Sequence, residues 1–232
     1  MIRAVVFDLD NTLIDFVRMN DAAVRAAAVA MVDAGLRFPV DEVVAGIEAV
    51  YARKGIEYQQ VFDDFLEERL GEVDWKILAS GVLAYRRSRE AHLVLYPLAA
   101  ATLVGLAKRG LKLAVVSDAP RREAWMRLVA LGIHPFFDAV VTFEDTGRHK
   151  PDPIPFRRAL DLLGVDPVES LMVGDWAERD MVGAAQIGMR TVFARYGDLF
   201  GTRDPKADYE IDRIDALLGI VDRDREDGEG DR

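Results

Sequence analysis

Ala4-Val5-Val6-Phe7-Asp8-Leu9-Asp10-Asn11-Thr12-Leu13 is the stretch on which the fold turns. From Ile2 to Phe7 the chain is short and apolar, with no polar alternation, and it stops abruptly at two carboxylates one residue apart. That is the pattern of a fully buried strand, covered on both faces. Three further segments share it: Leu111-Lys112-Leu113-Ala114-Val115-Val116, Ser170-Leu171-Met172-Val173-Gly174 and Thr191-Val192-Phe193-Ala194. Ala139-Val140-Val141-Thr142 is a shorter candidate. Between them lie helical patterns, such as Phe156, Ala159, Leu160 and Leu163 at i, i+3, i+4 and i+7, with Gly164 as a stop. Strands alternating with single helices imply right-handed crossovers, hence an α/β doubly wound parallel sheet with helices on both faces.

One interval breaks this rhythm. Between about Val17 and Leu93 only helical periodicity is present. Val43, Val44, Ile47, Val50 and Tyr51 make one stripe, and Val61, Phe62, Phe65, Leu66 and Leu70 another. Such a length is too great for a loop, so an inserted helical domain is expected. Its hinges would lie near Ile14-Asp15-Phe16 and Val94-Leu95-Tyr96-Pro97. The expected division is 1–16 with 94–220 as the core, 17–93 as the helical insertion, and 221–232 as a frayed or disordered acidic tail.

Composition excludes several functions. The 232 residues carry 30 Lys plus Arg against 40 Asp plus Glu, a net charge of −10, with no cysteine. Disulfide scaffolds, thiolate metal sites and cysteine nucleophiles are therefore excluded. The acidic balance argues against a partner held by charge, such as nucleic acid. The longest uncharged apolar run, Leu93 to Ala107, contains Pro97 and Gly105 and falls short of the about 18 residues a membrane span needs. No signal peptide is read at the N-terminus, so a cytoplasmic location is expected.

Four places carry candidate chemistry. Asp8 and Asp10, with Thr12 beside them, follow the first strand, where ligands bind in open parallel sheets. Two close carboxylates repel unless a cation or proton lies between them. Composition alone yields about three Asp-x-Asp pairs in this chain, and Asp222-x-Asp224 is one to which no role is assigned. Position after a buried strand is what distinguishes Asp8 and Asp10. Ser117-Asp118 ends the Val115-Val116 strand; read alone it fits either an anion site or an ordinary turn or helix cap. Lys150-Pro151-Asp152-Pro153 alone reads as a proline-rich helix start. Asp175 and Asp180 stand at a strand tip and in the first turn after it, where capping and dipole effects would explain each separately. Together, the topology would gather these groups on one edge, and the carboxylates, cation and hydroxyl would suit magnesium beside a phosphate.

In this order the four segments resemble the haloacid dehalogenase-like (HAD) hydrolase superfamily. The matching residues are Phe7-Asp8-Leu9-Asp10-Asn11-Thr12-Leu13, Ser117, Lys150-Pro151-Asp152-Pro153, and Val173-Gly174-Asp175 through Asp180-Met181-Val182-Gly183-Ala184-Ala185. The helical insertion looks like that family's α-helical cap. The resemblance implies a Mg2+-dependent phosphatase acting on a small phosphorylated metabolite, as a monomer or homodimer with no nucleic-acid or membrane partner. Asp8 would be the nucleophile forming an aspartyl-phosphate, and Asp10 the acid and base. Asp8, the Asp10 carbonyl and Asp175 would hold Mg2+, with Asp180 positioning water or Lys150 and Thr12 supporting them. Ser117, Asp118 and Lys150 would lie against the phosphoryl group.

The same core serves phosphomutases, and a non-catalytic binding module is a further alternative. Dehalogenating members lack the second acid, and Asp10 is present here. Asp118 replaces the Asn of many relatives, and Trp176 a common Ser or Thr. Trp176 is expected to narrow the pocket or pack on the core, and Trp75 and Trp125 to pack. His92, His134 and His149 have no ligand spacing, and His149 lies nearest the site. Phe16, Arg18 and Asn20, near the hinge, are the expected substrate contacts of the insertion.

Overall fold

A computed structural model describes residues 1–230, which separate into two compact units: Met1–Asp15 together with the chain from Val94 onward, and Phe16–Leu93. The first unit is built on six parallel strands: β1 (Ala4–Phe7), β2 (Lys112–Val116), β3 (Ala139–Val141), β4 (Ser170–Gly174), β5 (Arg190–Ala194) and β6 (Tyr209–Ile211). Their order is β3-β2-β1-β4-β5-β6, with β1 central and the direction of winding reversing beside it. Val6 pairs with Ala114 on one side and with Met172 on the other. This is the doubly wound α/β architecture expected from the sequence. Reversal at β1 opens a crevice at the carboxyl ends of β1, β2 and β4, where open sheets of this kind bind ligands.

The second unit holds α1 (Phe16–Asp33), α2 (Val40–Lys54), α3 (Val61–Leu70) and α4 (Trp75–His92). Val24, Ala28, Met31, Val43, Ile47, Val50, Phe65 and Leu66 form its core. The first unit continues with α5 (Ala99–Lys108), α6 (Arg121–Ala130), α7 (Phe143–Thr146), α8 (Pro153–Leu163), α9 (Val182–Ala185) and α10 (Ala216–Gly230). Helix α8 shows how the sequence sets these elements. Asp152 caps it by accepting from the Ile154 amide at 2.9 Å, Pro153 opens it, and Gly164 ends it in a left-handed conformation. Its stripe of Phe156, Ala159, Leu160 and Leu163 is fully buried against Val6, Ala114, Met172 and Phe193. Each large side chain so buried contributes about 1.5–3 kcal/mol.

Three expectations are corrected. Residues 221–230 belong to α10; only Asp231 and Arg232 of the expected tail lie outside the described residues. Leu217, Ile220 and Val221 are buried, Asp222 accepts from Arg109 at 2.6 and 2.7 Å, and Asp224 accepts from Arg190 at 2.8 Å. Acids that read as solvated repulsion thus find cations on distant elements. Trp75 is 73% exposed and Trp125 42%, so neither serves the packing assigned to it. Trp75 follows the Asp74 cap, while Ile77, Leu78 and Gly81 form the inward face of α4; Trp125 is exposed on α6 together with Met126 and Val129. Strand β6 was not read: only three residues long and flanked by Asp208 and Asp212, it carries no run of apolar residues. No helix among the described residues is long and apolar enough to cross a membrane.

Candidate active site

The Asp8 amide donates to the Val173 carbonyl at 2.9 Å, which carries the β1–β4 pairing one residue past the strand. Buried Leu9 and Leu13 anchor the turn that follows, and Asn11 takes a left-handed φ of 59°, which an Asn tolerates better than most residues. The Asn11 amide closes the turn on the Ile14 carbonyl at 2.7 Å. Gly197 backs it: a Cβ there would come within 1.8 Å of the Asn11 carbonyl oxygen. Tyr196 also supports the turn, its hydroxyl donating to the Thr12 carbonyl at 2.8 Å.

Asp8, Asp175 and Asp180 come together, each placing one carboxylate oxygen within 4.8 Å of the others, and all three are buried. Lys150 Nζ donates to Asp8 Oδ1 and, at 2.7 Å, to Asp180 Oδ1. Asp180 Oδ2 accepts from the Trp176 amide at 3.1 Å, so both its oxygens are engaged. Residues 177–181 form a π-helical turn whose Asp180 amide bonds back to the Trp176 carbonyl at 2.7 Å; such turns recur at functional sites. Thr12 Oγ1 donates to Asp175 Oδ1 at 2.9 Å.

Gly174 makes this arrangement sterically feasible, since a Cβ there would stand 2.3 Å from Asp180 Oδ2. Gly174→Ala is therefore expected to push Asp180 off Lys150, with activity falling about tenfold or more while the fold survives. Turnover measured alongside thermal unfolding checks this; unchanged turnover would contradict it.

The charges do not balance by themselves. Burial, then the negative charges of Asp8 and Asp180, push the Asp175 carboxyl up to about 9. Burial also raises Asp180, to about 6, although Lys150 pulls it down. Burial works against the Lys150 ammonium, but Asp180, Asp8 and Asp118 outweigh it and hold its pKa above the ordinary lysine value. Three buried carboxylates facing one ammonium favour a further cation, and an all-oxygen donor set suits Mg2+ rather than a softer metal.

Ser117 lies at the end of β2, buried, with its Oγ accepting from the Ala119 amide at 3.1 Å. Asp118 ties loops together: Oδ1 accepts from the Lys150 amide at 2.9 Å and lies 3.6 Å from His149 Nδ1, and Oδ2 accepts from Arg179 at 3.1 Å. His149 stacks on Phe143 with ring centroids 4.1 Å apart. Trp176 packs on Phe200 at 4.6 Å and carries the Arg179 guanidinium 3.8 Å over its ring, so it belongs to an aromatic and cationic rim. Phe16, Arg18 and Asn20 stand at the start of α1, in the helical unit, where the Asn20 side-chain oxygen accepts from Tyr85 at 3.2 Å.

Asp10 is not part of the carboxylate cluster. Its Oδ2 accepts from Arg127 at 2.6 Å, a residue the sequence reading passed over. The signal available was an Arg between Ala124 and Leu128 on the inward face of α6.

Comparison with known proteins agrees with this geometry. Residues 2–188 match the family model described as haloacid dehalogenase-like hydrolase. The chain is 36% identical to a glyceraldehyde 3-phosphate phosphatase of Methanocaldococcus jannaschii over 95% of this chain and 97% of that one. It is 37% identical to a protein of the same description from Methanopyrus kandleri, with the same coverage. The crystal structure of an HAD phosphatase from Thermococcus onnurineus superposes with a TM-score of 0.69 at 26% identity, covering 95% of this chain and 98% of that one. With the strand order, the four strand-end segments and these matches in agreement, the chain belongs to the haloacid dehalogenase-like hydrolase family.

Proposed function

We propose that this protein is a magnesium-dependent phosphatase that hydrolyses a small phosphorylated metabolite through an aspartyl-phosphate on Asp8. A three-carbon phosphate such as glyceraldehyde 3-phosphate is the first candidate, because the archaeal relatives carry that description. The observation that supports the reading best is the buried grouping of Asp8, Asp175 and Asp180 around Lys150 at the reversal point of the sheet.

Asp8 attacks phosphorus as a carboxylate, and the ester oxygen leaves with a proton from Asp10. Water then attacks phosphorus, gives its proton to Asp10, and the Asp8–phosphate bond breaks. Lys150, hydrogen-bonded to Asp8, donates to the phosphoryl oxygens. Ser117 accepts from the Ala119 amide and keeps its own O–H to donate to the same group. Asp118 steadies the Lys150 loop rather than facing an anion it would repel. Asp8, the Asp10 carbonyl and Asp175 would hold Mg2+, with Thr12 orienting Asp175 and Asp180 orienting Lys150. When bound, the cation would supply Lewis-acid stabilisation of the phosphoryl oxygens.

Phosphate release from a panel of small phosphate esters, with Mg2+ and with EDTA, tests the reading. Metal removal is expected to reduce turnover to below about 1%. Mg2+ is also expected to raise the thermal unfolding temperature, because it would bind the native cluster and not the unfolded chain. A folded protein that releases no phosphate under any condition would overturn the reading. Isomerised product without free phosphate would instead identify a phosphomutase.

A further inference from the structure

Helix α6 is built inside out. Its buried face carries two charged side chains, Glu123 and Arg127, beside Ala124 and Leu128, while Trp125, Met126 and Val129 are 42%, 54% and 54% exposed. Burying a guanidinium costs several kcal/mol unless it is well paired, so a helix meant only for packing would present the opposite face. The Arg127 side chain is 2% exposed, and it reaches Asp10 Oδ2 at 2.6 Å. We propose that Arg127 is the positioning residue for Asp10, fixing which carboxyl oxygen exchanges the proton with the leaving group. The proposal rests on the phosphatase reading above.

A guanidinium has only N–H donors, so the oxygen it faces must accept, and the carbonyl oxygen of a carboxylic acid accepts better than its hydroxyl oxygen. With Oδ2 occupied in this way, a proton carried by Asp10 sits on Oδ1. As the Asp8 oxygen–phosphorus bond forms and the phosphorus–ester oxygen bond breaks, that proton passes to the departing oxygen, which leaves as a neutral alcohol. In the second half, water loses its proton to the same Oδ1, the phosphorus–water oxygen bond forms, and the Asp8–phosphorus bond breaks. Arg127 stays protonated and forms no bond to substrate. It acts by holding the Asp10 side chain in one rotamer, and proton transfer depends on that geometry.

The test uses the full-length protein with saturating Mg2+ and a series of aryl phosphates from p-nitrophenyl to phenyl, whose leaving groups grow progressively more basic. A good leaving group departs without a proton, and a poor one needs it. Arg127→Met is therefore expected to lower kcat/KM on phenyl phosphate at least about tenfold more than on p-nitrophenyl phosphate, with the loss in kcat rather than KM. Arg127→Gln should behave in the same way, and Arg127→Lys, which keeps a cationic donor, should restore most of the difference. If Arg127→Met does not fold, Arg127→Gln decides on the same readout. Equal loss on every ester, with wild type active and Asp8→Asn inactive, would overturn the positioning role and leave the phosphatase reading intact. A wild type that cleaves none of the esters, or an Asp8→Asn variant as active as wild type, would remove the phosphatase reading, and the positioning role with it.

Discussion

Asp8→Asn is expected to lower phosphate release by about 10⁴-fold or more, without loss of the fold. The amide matches the carboxylate in size and keeps an oxygen that can accept from Lys150, so the packing at the end of β1 changes little. What disappears is the anionic oxygen proposed to attack phosphorus. The charge change also relieves strain in the cluster: Asp8 is, after burial, the leading cause of the raised Asp175 carboxyl, so a neutral side chain there weakens the repulsion. Thermal stability of the metal-free variant should accordingly match or exceed that of wild type. Two measurements check this. Acid-quenched wild type incubated with substrate should gain the mass of one phosphoryl group, and the variant none. Turnover by Asp8→Asn near the wild-type rate would eliminate covalent catalysis at this position.

The parts legible in the sequence were those with a local signal. Strands β1, β2, β4 and β5 each carry a short apolar run that is buried, and the helical segments between them are consistent with the fully parallel sheet. Asp8, Lys150, Asp175 and Asp180 were singled out because each follows a predicted strand; the structure hydrogen-bonds Lys150 to Asp8 and Asp180 and places an Asp175 oxygen within 4.8 Å of those two carboxylates. What escaped has its partner far away in the chain. Asp222 and Asp224 belong to an ordered helix because Arg109 and Arg190 meet them from 113 and 34 residues away. Periodicity registers apolar residues, so α6, with charge inside and Trp125 and Met126 outside, gives no usable stripe. Arg127 was hidden for that reason: an Arg is expected on the solvent face, and only the 2.6 Å contact with Asp10, 117 residues away, shows otherwise. Gly174 and Gly197 likewise read as ordinary strand-end and loop residues until the close approach of Asp180 and of the Asn11 carbonyl is seen.

Lys150→Met should damage both stability and turnover, by separable routes. The side chains are of similar length, so the buried space stays filled, but the ammonium between Asp8 Oδ1 and Asp180 Oδ1 is lost. Removing one partner of a buried ion pair costs about 3–5 kcal/mol, because the remaining charge has been desolvated without compensation. Here two carboxylates lose their shared partner, and they can limit the cost only by binding a proton or another cation. Of these the proton is counterproductive for the proposed catalysis, since a protonated Asp8 could not serve as the nucleophile. Turnover should therefore fall by about 10³-fold or more. Mg2+ should recover much of the lost unfolding temperature, since a cation added to the carboxylate cluster replaces part of the missing positive charge. It should not recover turnover if Lys150 also donates to the phosphoryl oxygens, as proposed. Thermal unfolding and phosphate release, each with and without Mg2+, separate the two effects. A variant with wild-type unfolding temperature in the absence of metal would show that the three carboxylates do not depend on Lys150 for their charge balance. Recovery of turnover by Mg2+ alone would show that Lys150 serves the fold and not the phosphoryl group.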